Sequence, residues 1–171
     1  MKPRRTAAIA TTVLLLTAAV ANADGAGNAK AVSSRDGEYF DKDGNPTYHI
    51  AEDGTVDWYT YGGYLRYGAS CLQCHGPDGL GSSYAPSLVD ALQSLTYADF
   101  QAAVAGGKKD VNAAQQLVMP ALGTNPNVMC YIDAIYVYLR ARSDGALGRQ
   151  RPQAHEPKPD GFTKAEDACM G

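Results

Sequence analysis

Cys71-Leu72-Gln73-Cys74-His75 concentrates the reactive side chains of this chain. Two thiols three positions apart, followed at once by an imidazole, form the attachment pattern of c-type haem. The thiols can add to the two vinyl groups of the porphyrin, and the histidine then lies under the iron as proximal ligand. Two other chemistries use paired cysteines. A thioredoxin-like redox couple has no need of the histidine. Half of a zinc site requires two more ligands, and none of the 4 Cys and 3 His stands at the spacing to supply them. One covalent haem c is therefore the expected cofactor, on Cys71, Cys74 and His75.

An iron held by His75 needs a sixth ligand or an open position. The candidates are Met119, Met129, Met170, His49 and His155. Met119 is preferred. It follows His75 by 44 residues, in a predicted loop between two helices, so the chain can return to the opposite face of the ring. Pro120 stiffens the backbone beside it. Met129 reads as core, Met170 is terminal and His49 reads as a polar turn residue. The second ring nitrogen of His75 needs an acceptor to orient it. Ala85-Pro86-Ser87-Leu88 is placed to return under the ring, with the Pro86 carbonyl as that acceptor. A histidine and methionine pair leaves no vacancy for oxygen or substrate and favours one-electron transfer, without a catalytic residue.

Lys2, Arg4 and Arg5, an apolar run over Ala7 to Ala21, and Ala21-Asn22-Ala23 read as a signal peptide over residues 1–23, cleaved before Asp24. Nothing later resembles a membrane span, and the periplasm is the expected location. Loss of the leader moves the formal charge from −3 to −6, which argues against nucleic acid as a partner. Cys130 and Cys169 remain after haem attachment. In an oxidising compartment an even remainder favours a disulfide over two free buried thiols.

The elements that position these residues are mostly helical. Residues 24–36 are expected to be mobile. The N-terminal extension, 24–57, carries short β hairpins after residue 36, with turns at Asp43-Gly44 and Asp53-Gly54. Asp41, Asp43, Asn45 and Glu52 stand at calcium-loop spacing, but Pro46 occupies the place of the required glycine, so a plain turn is expected. A first helix is predicted over 58–69, with Gly62 and Gly63 where a second helix crosses closely. Thr96 caps a helix over 97–105, a short helical stretch follows at 112–117, and Asn125-Pro126 opens a last helix over 127–141. Residues 143–171 read as an extended tail tied back by the disulfide.

The order of haem motif, Ala-Pro-Ser-Leu, helix ending in glycine, Met-Pro and a last helix with Tyr138-Leu139-Arg140 resembles the class I cytochromes c over 58–142. The resemblance implies a mainly α fold wrapped round one haem, with Gly63, Tyr67 and Tyr138 at the crossing of the first and last helices. It also implies an exposed haem edge near Ala69, Ser70, Gln73, Ala121 and Leu122. The flanks are similar to a narrower group. Asp-Gly-Asn-Pro-Thr-Tyr-His-Ile at 43–50, Asp57-Trp58-Tyr59, Val128-Met129-Cys130-Tyr131 and Leu147-Gly148-Arg149 resemble the four-cysteine cytochromes of methanol metabolism. That group includes the electron acceptors of lanthanide-dependent, PQQ-containing methanol dehydrogenase.

The expected function is that of a monomeric periplasmic electron carrier, not an enzyme. A PQQ-dependent methanol or alcohol dehydrogenase is the implied donor, and a downstream cytochrome or terminal oxidase the acceptor. The alternatives are a carrier for another periplasmic dehydrogenase, or a peroxidase-like or gas-binding haem protein with an open sixth site. Residues 36–57 hold seven acids against one base. Asp41, Asp43 and Glu52 there are candidates for steering a partner, beside the simpler reading of a solvated acidic face.

Overall fold

Gly63 sets the architecture. In the computed structural model, which describes residues 30–111 and 116–171, helix α1 (Trp58–Ser70) crosses helix α6 (Ile132–Ser143) at this glycine. A Cβ on Gly63 would lie 1.8 Å from the Ala134 carbonyl oxygen and 2.8 Å from Tyr138 Cβ. Only a residue without a side chain allows the two backbones this approach. Tyr67, Ile135, Tyr138 and Leu139 close the core around the crossing, all buried. Gly62 has a different role. Its missing Cβ would meet Phe162 at an ordinary 3.7 Å, so α6 does not require it.

The start of α1 is fixed by Asp57, whose carboxylate is fully buried. It accepts the Thr60 amide at 2.8 Å, the Thr60 hydroxyl at 2.6 Å and the His49 amide at 2.7 Å. One side chain thus caps the helix and ties the N-terminal segment to it. That segment forms an antiparallel sheet of β1 (Ser33–Arg35), β2 (Glu38–Phe40) and β3 (Pro46–Thr47), in that order. Residues 33–35, expected to be mobile, are a strand because Asp36-Gly37 turns the chain with both φ values positive. This is the two-residue hairpin geometry that Asp-Gly favours. Asp41 folds back to accept the amides of Asp43 at 2.8 Å and Asn45 at 2.9 Å, which makes the 41–45 stretch a plain turn.

The rest of the α layer comprises α2 (Leu72–His75), α3 (Leu88–Ala91), α4 (Tyr97–Gly106), α5 (Pro126–Met129) and α7 (Asp160–Met170). A hairpin of β4 (Lys108–Val111) and β5 (Gln116–Met119) separates α4 from α5. Three expectations are corrected here. Gln116 and Leu117, predicted as helix, are strand, because Leu117 pairs with Asp110 and Gln116 with Val111 across the hairpin. Residues 112–115 of that predicted stretch, like the leader and residues 24–29, lie outside the described residues. The last helix is broken, since Tyr131 leaves helical backbone at φ −126°, ψ 16°. Its ring lies 3.5 Å from the Arg66 guanidinium, and its hydroxyl donates to Glu166.

The third correction is the tail, which ends in a helix. Phe162, Ala165, Glu166 and Cys169 recur at helical spacing and place one face of α7 on the body. Phe162 packs edge-on to Tyr59 at 4.9 Å and to Trp58 at 6.0 Å. Glu166 bonds Arg66 at 3.1 Å and pairs with Lys158. These partners hold its carboxyl below the usual carboxylate range, Lys158 and Tyr131 first. Cys169 is bonded to Cys130 across 39 residues. A crosslink over a loop of this length stabilises by about 4 kcal/mol in the chain-entropy account. Replacing both cysteines by serine should therefore lower unfolding free energy by about 2–4 kcal/mol in urea titrations. A change below about 0.5 kcal/mol would show that α7 is held by its non-covalent contacts alone.

Glu38 gives the fold a pH dependence. Burial, reinforced by the Asp133 charge and opposed by Arg35, pushes its carboxyl from 4.5 up to about 7. Between those values the unfolded chain releases this proton and the folded chain keeps it. The contribution to stability is then full below about pH 4.5 and is lost as pH rises to about 7. Glu38→Gln should raise the melting temperature by a few degrees at pH 8 and leave it nearly unchanged at pH 4. Equal shifts at both pH values would exclude an ionisation effect.

Candidate haem site

The attachment motif is a single helical turn grafted onto the end of α1. The Cys71 amide still donates to Tyr67 at 2.9 Å, but Cys71 itself leaves the helix at φ −120°, ψ −31°. From there the His75 amide donates to the Cys71 carbonyl at 2.9 Å. Positions i, i+3 and i+4 of a turn share a face, so Cys71, Cys74 and His75 project to one side. Both thiols are free, Cys71 half-buried against the core and Cys74 exposed. Burial, with a smaller contribution from Cys74, pushes the Cys71 thiol up to about 11. No group of three or more His, Cys, Asp or Glu side chains gathers among the described residues.

His75 is buried, and its Nδ1 lies 3.0 Å from the Pro86 carbonyl oxygen. A protonated Nδ1 donates there, which leaves Nε2 unprotonated and able to bind a metal. The loop that returns Pro86 depends on Gly81, at φ +85°, where a Cβ would lie 2.7 Å from the Ser87 nitrogen. The Gly81 amide also donates to the His75 carbonyl at 2.9 Å, closing the loop on the residue it serves.

Met119 ends β5, opposite Lys108 in register, and packs half-buried against the core cluster that Cys71 also touches. Gly107, at φ +73°, lets this strand pass, since a Cβ there would lie 2.6 Å from the Met119 carbonyl oxygen. Beyond Pro120, the Leu122 and Gly123 amides donate to Val104 and Ala105 at 3.0 and 3.1 Å. The methionine loop is thereby pinned to the end of α4.

No family model matches the chain. It is 54% identical over 134 residues to cytochrome c-553I of Paracoccus denitrificans, covering 78% of this chain and 59% of that protein's length. It is 34% identical over 93 residues to cytochrome c-555 of Methylococcus capsulatus, covering 54% of this chain and 69% of that one. The crystal structure of the c-type cytochrome XoxG from Methylobacterium extorquens AM1 superposes with a TM-score of 0.77 at 54% identity, over 82% of this chain and 86% of that one. The chain is a class I c-type cytochrome. Its cofactor is covalently bound haem c, and the free thiols and the oriented imidazole fit that group.

In this cytochrome the other candidate ligands are engaged elsewhere. His49 stacks on Tyr39 at 4.6 Å, and His155 stacks on Tyr61 at 3.8 Å with Nδ1 at the Glu156 carbonyl. Met129 lies in α5 against the core, and Met170 is exposed at the end of α7. Ala69, Ser70, Gln73 and Ala121 are exposed and Leu122 is half-buried. Of the acids proposed to steer a partner, Asp41 is buried in its turn and Asp43 pairs with Lys42 at 2.9 Å, while Glu52 is exposed.

Sequence reasoning missed the supports around the motif. Tyr67 donates its hydroxyl to the Gly76 carbonyl, and Ser82 donates to the Cys74 carbonyl. Asp78, Arg142 and Arg149 form a cluster behind the same loop. Tyr67 was legible in principle, one helical turn before Cys71. Ser82 lies in the same loop as the motif, eight residues after Cys74, whereas Asp78 meets Arg142 and Arg149 across 64 and 71 residues, too distant for any local pattern to show.

Proposed function

We propose that this cytochrome is a periplasmic carrier of single electrons, taking them from a PQQ-dependent methanol or alcohol dehydrogenase and passing them to a downstream cytochrome or terminal oxidase. The observation that carries the reading is the His75–Pro86 pair, because it orients the imidazole next to the two attachment thiols and leaves Nε2 free to bind a metal. Cys71 and Cys74 would hold haem c, and His75 and Met119 would ligate its iron. When bound, haem c supplies a one-electron ferric–ferrous couple. Pro86 orients the imidazole, Met119 as an iron ligand would exclude small molecules from the iron, and the small exposed residues Ala69, Ser70 and Ala121 would permit close approach of a partner.

The methanol-linked donor is supported by the flanking strings at 43–50, 57–59, 128–131 and 147–149, and by the likeness to XoxG over most of the chain. Periplasmic location is supported by the leader pattern. No helix among the described residues is long and apolar enough to cross a membrane.

Stopped-flow mixing of the purified cytochrome with PQQ-dependent methanol, ethanol and other periplasmic dehydrogenases tests the assignment. Rapid, saturable reduction by the methanol enzyme is expected. Equal rates with every dehydrogenase, or none with the methanol enzyme, would reject the donor. Ready carbon monoxide binding by the ferrous protein would reject the carrier reading in favour of an open site.

A further inference from the structure

We infer that Arg149, in the segment between α6 and α7, is a positioning residue for His75. It holds Asp78, and through Asp78 the loop that presents the Pro86 carbonyl to the imidazole. The inference rests on the reading of His75 as proximal ligand.

Hydrogen bonds and chain connectivity carry every link. Arg149 Nε pairs with Asp78 Oδ2. The Asp78 side chain is only 8% exposed, whereas that of Arg149 is 70% exposed. Exposed ion pairs are commonly worth little, but a desolvated carboxylate left without its partner is costly. The backbone of Asp78 is held from the other side, where Arg142 Nε of α6 donates to its carbonyl at 3.3 Å. The next residue, Gly79, accepts the Leu88 and Val89 amides at 2.8 and 3.2 Å. Leu88 begins α3 two residues after Pro86, so Gly79 fixes the point from which Pro86 reaches back. Pro86 then meets His75 Nδ1 at 3.0 Å, and Gly81 bonds the His75 carbonyl.

Arg149 is the outermost member of this chain of contacts. It borders a hollow of about 340 Å³ whose walls include Tyr64, Leu65, Tyr67, Leu72 and Pro77. The hollow lies beside the attachment turn. The pair with Asp78 is a direct side-chain link from the segment after α6 to the proximal loop. Arg142 has a second anchor, the Leu147 carbonyl at 2.6 Å, and serves the fold of α6 as well.

Arg149→Gln, Arg149→Lys, Asp78→Asn and the Arg149→Gln/Asp78→Asn double variant of the holoprotein provide the test. In Arg149→Gln, the His75 Nδ1 proton and the Gly81, Leu88 and Val89 amides should exchange with solvent about tenfold faster or more, while Ile135 at the helix crossing is unchanged. The midpoint potential should fall, because an unpaired buried carboxylate favours the ferric state. Arg149→Lys should restore both readouts. The potential shifts of the single variants should be non-additive in the double variant. Unchanged exchange at the loop amides, equal acceleration at Ile135, or strictly additive shifts would each overturn the inference. Ligation by His75 is read separately from the ferric spectrum, so a wrong ligand and a wrong linkage give different results.

Discussion

The Met119→Ala cytochrome is expected to mature with its haem attached and to lose its character as a closed electron carrier. Cys71 and Cys74 lie on the turn after α1 and make no use of the methionine loop, so attachment survives. The loop itself should keep its path, because Gly107 and the Leu122 and Gly123 amides fix it to α4 independently of the side chain. What changes is the sixth position. The thioether–iron band at the red edge of the ferric spectrum should vanish, and the ferrous protein should bind carbon monoxide readily. Without the methionine, which raises the potential, the midpoint should fall by on the order of 0.1 V, within the ~0.8 V range that axial ligands command. Reduction by the donor should slow accordingly. An unchanged ferric spectrum would transfer the role to another residue.

Gly63→Ala should be the most damaging single-methyl addition in the helical core. The new Cβ would lie 1.8 Å from the Ala134 carbonyl oxygen, so α1 and α6 must separate or tilt. Overpacking at a backbone contact has no flexible side chain to absorb it, and a loss above about 4 kcal/mol is expected. A domain of this size has only about 5–15 kcal/mol in total, so holoprotein yield should collapse as well. Gly62→Ala is the internal control. Its Cβ would meet Phe162 at 3.7 Å, and alanine is favoured over glycine in a helix by ~1 kcal/mol. That variant should be neutral or slightly stabilised in denaturant titrations. Similar losses for both variants would indicate that helix propensity or side-chain crowding, and not the close crossing, makes the glycine necessary.

The attachment turn was legible in the residues alone because its chemistry is local. Positions 71, 74 and 75 meet within one turn whatever surrounds them, and the Pro86 carbonyl returns from only eleven residues away. The Asn125-Pro126 start of α5 and the Thr96 cap of α4 are likewise short-range hydrogen-bond chemistry. Gly63 was readable as an anomaly, a poor helix former in a helix, although its partner Ala134 was not.

Tertiary structure decided the rest. The strand at 116–119 exists because its residues pair across a hairpin, a contact that no window over 112–117 contains. The tail forms α7 because Phe162 finds Trp58 and Tyr59 about a hundred residues earlier, and Glu166 finds Arg66. Burial against those partners supplies the stabilisation that so short a helix lacks in isolation. Asp41 and Glu52 are both acids in one acidic segment, yet a turn buries the first and leaves the second in water. Asp78 and Arg149 lie 71 residues apart. Only the packing of α6 and the segment after it brings a guanidinium to a carboxylate that the fold has removed from water, because such a contact depends on where two distant backbones meet.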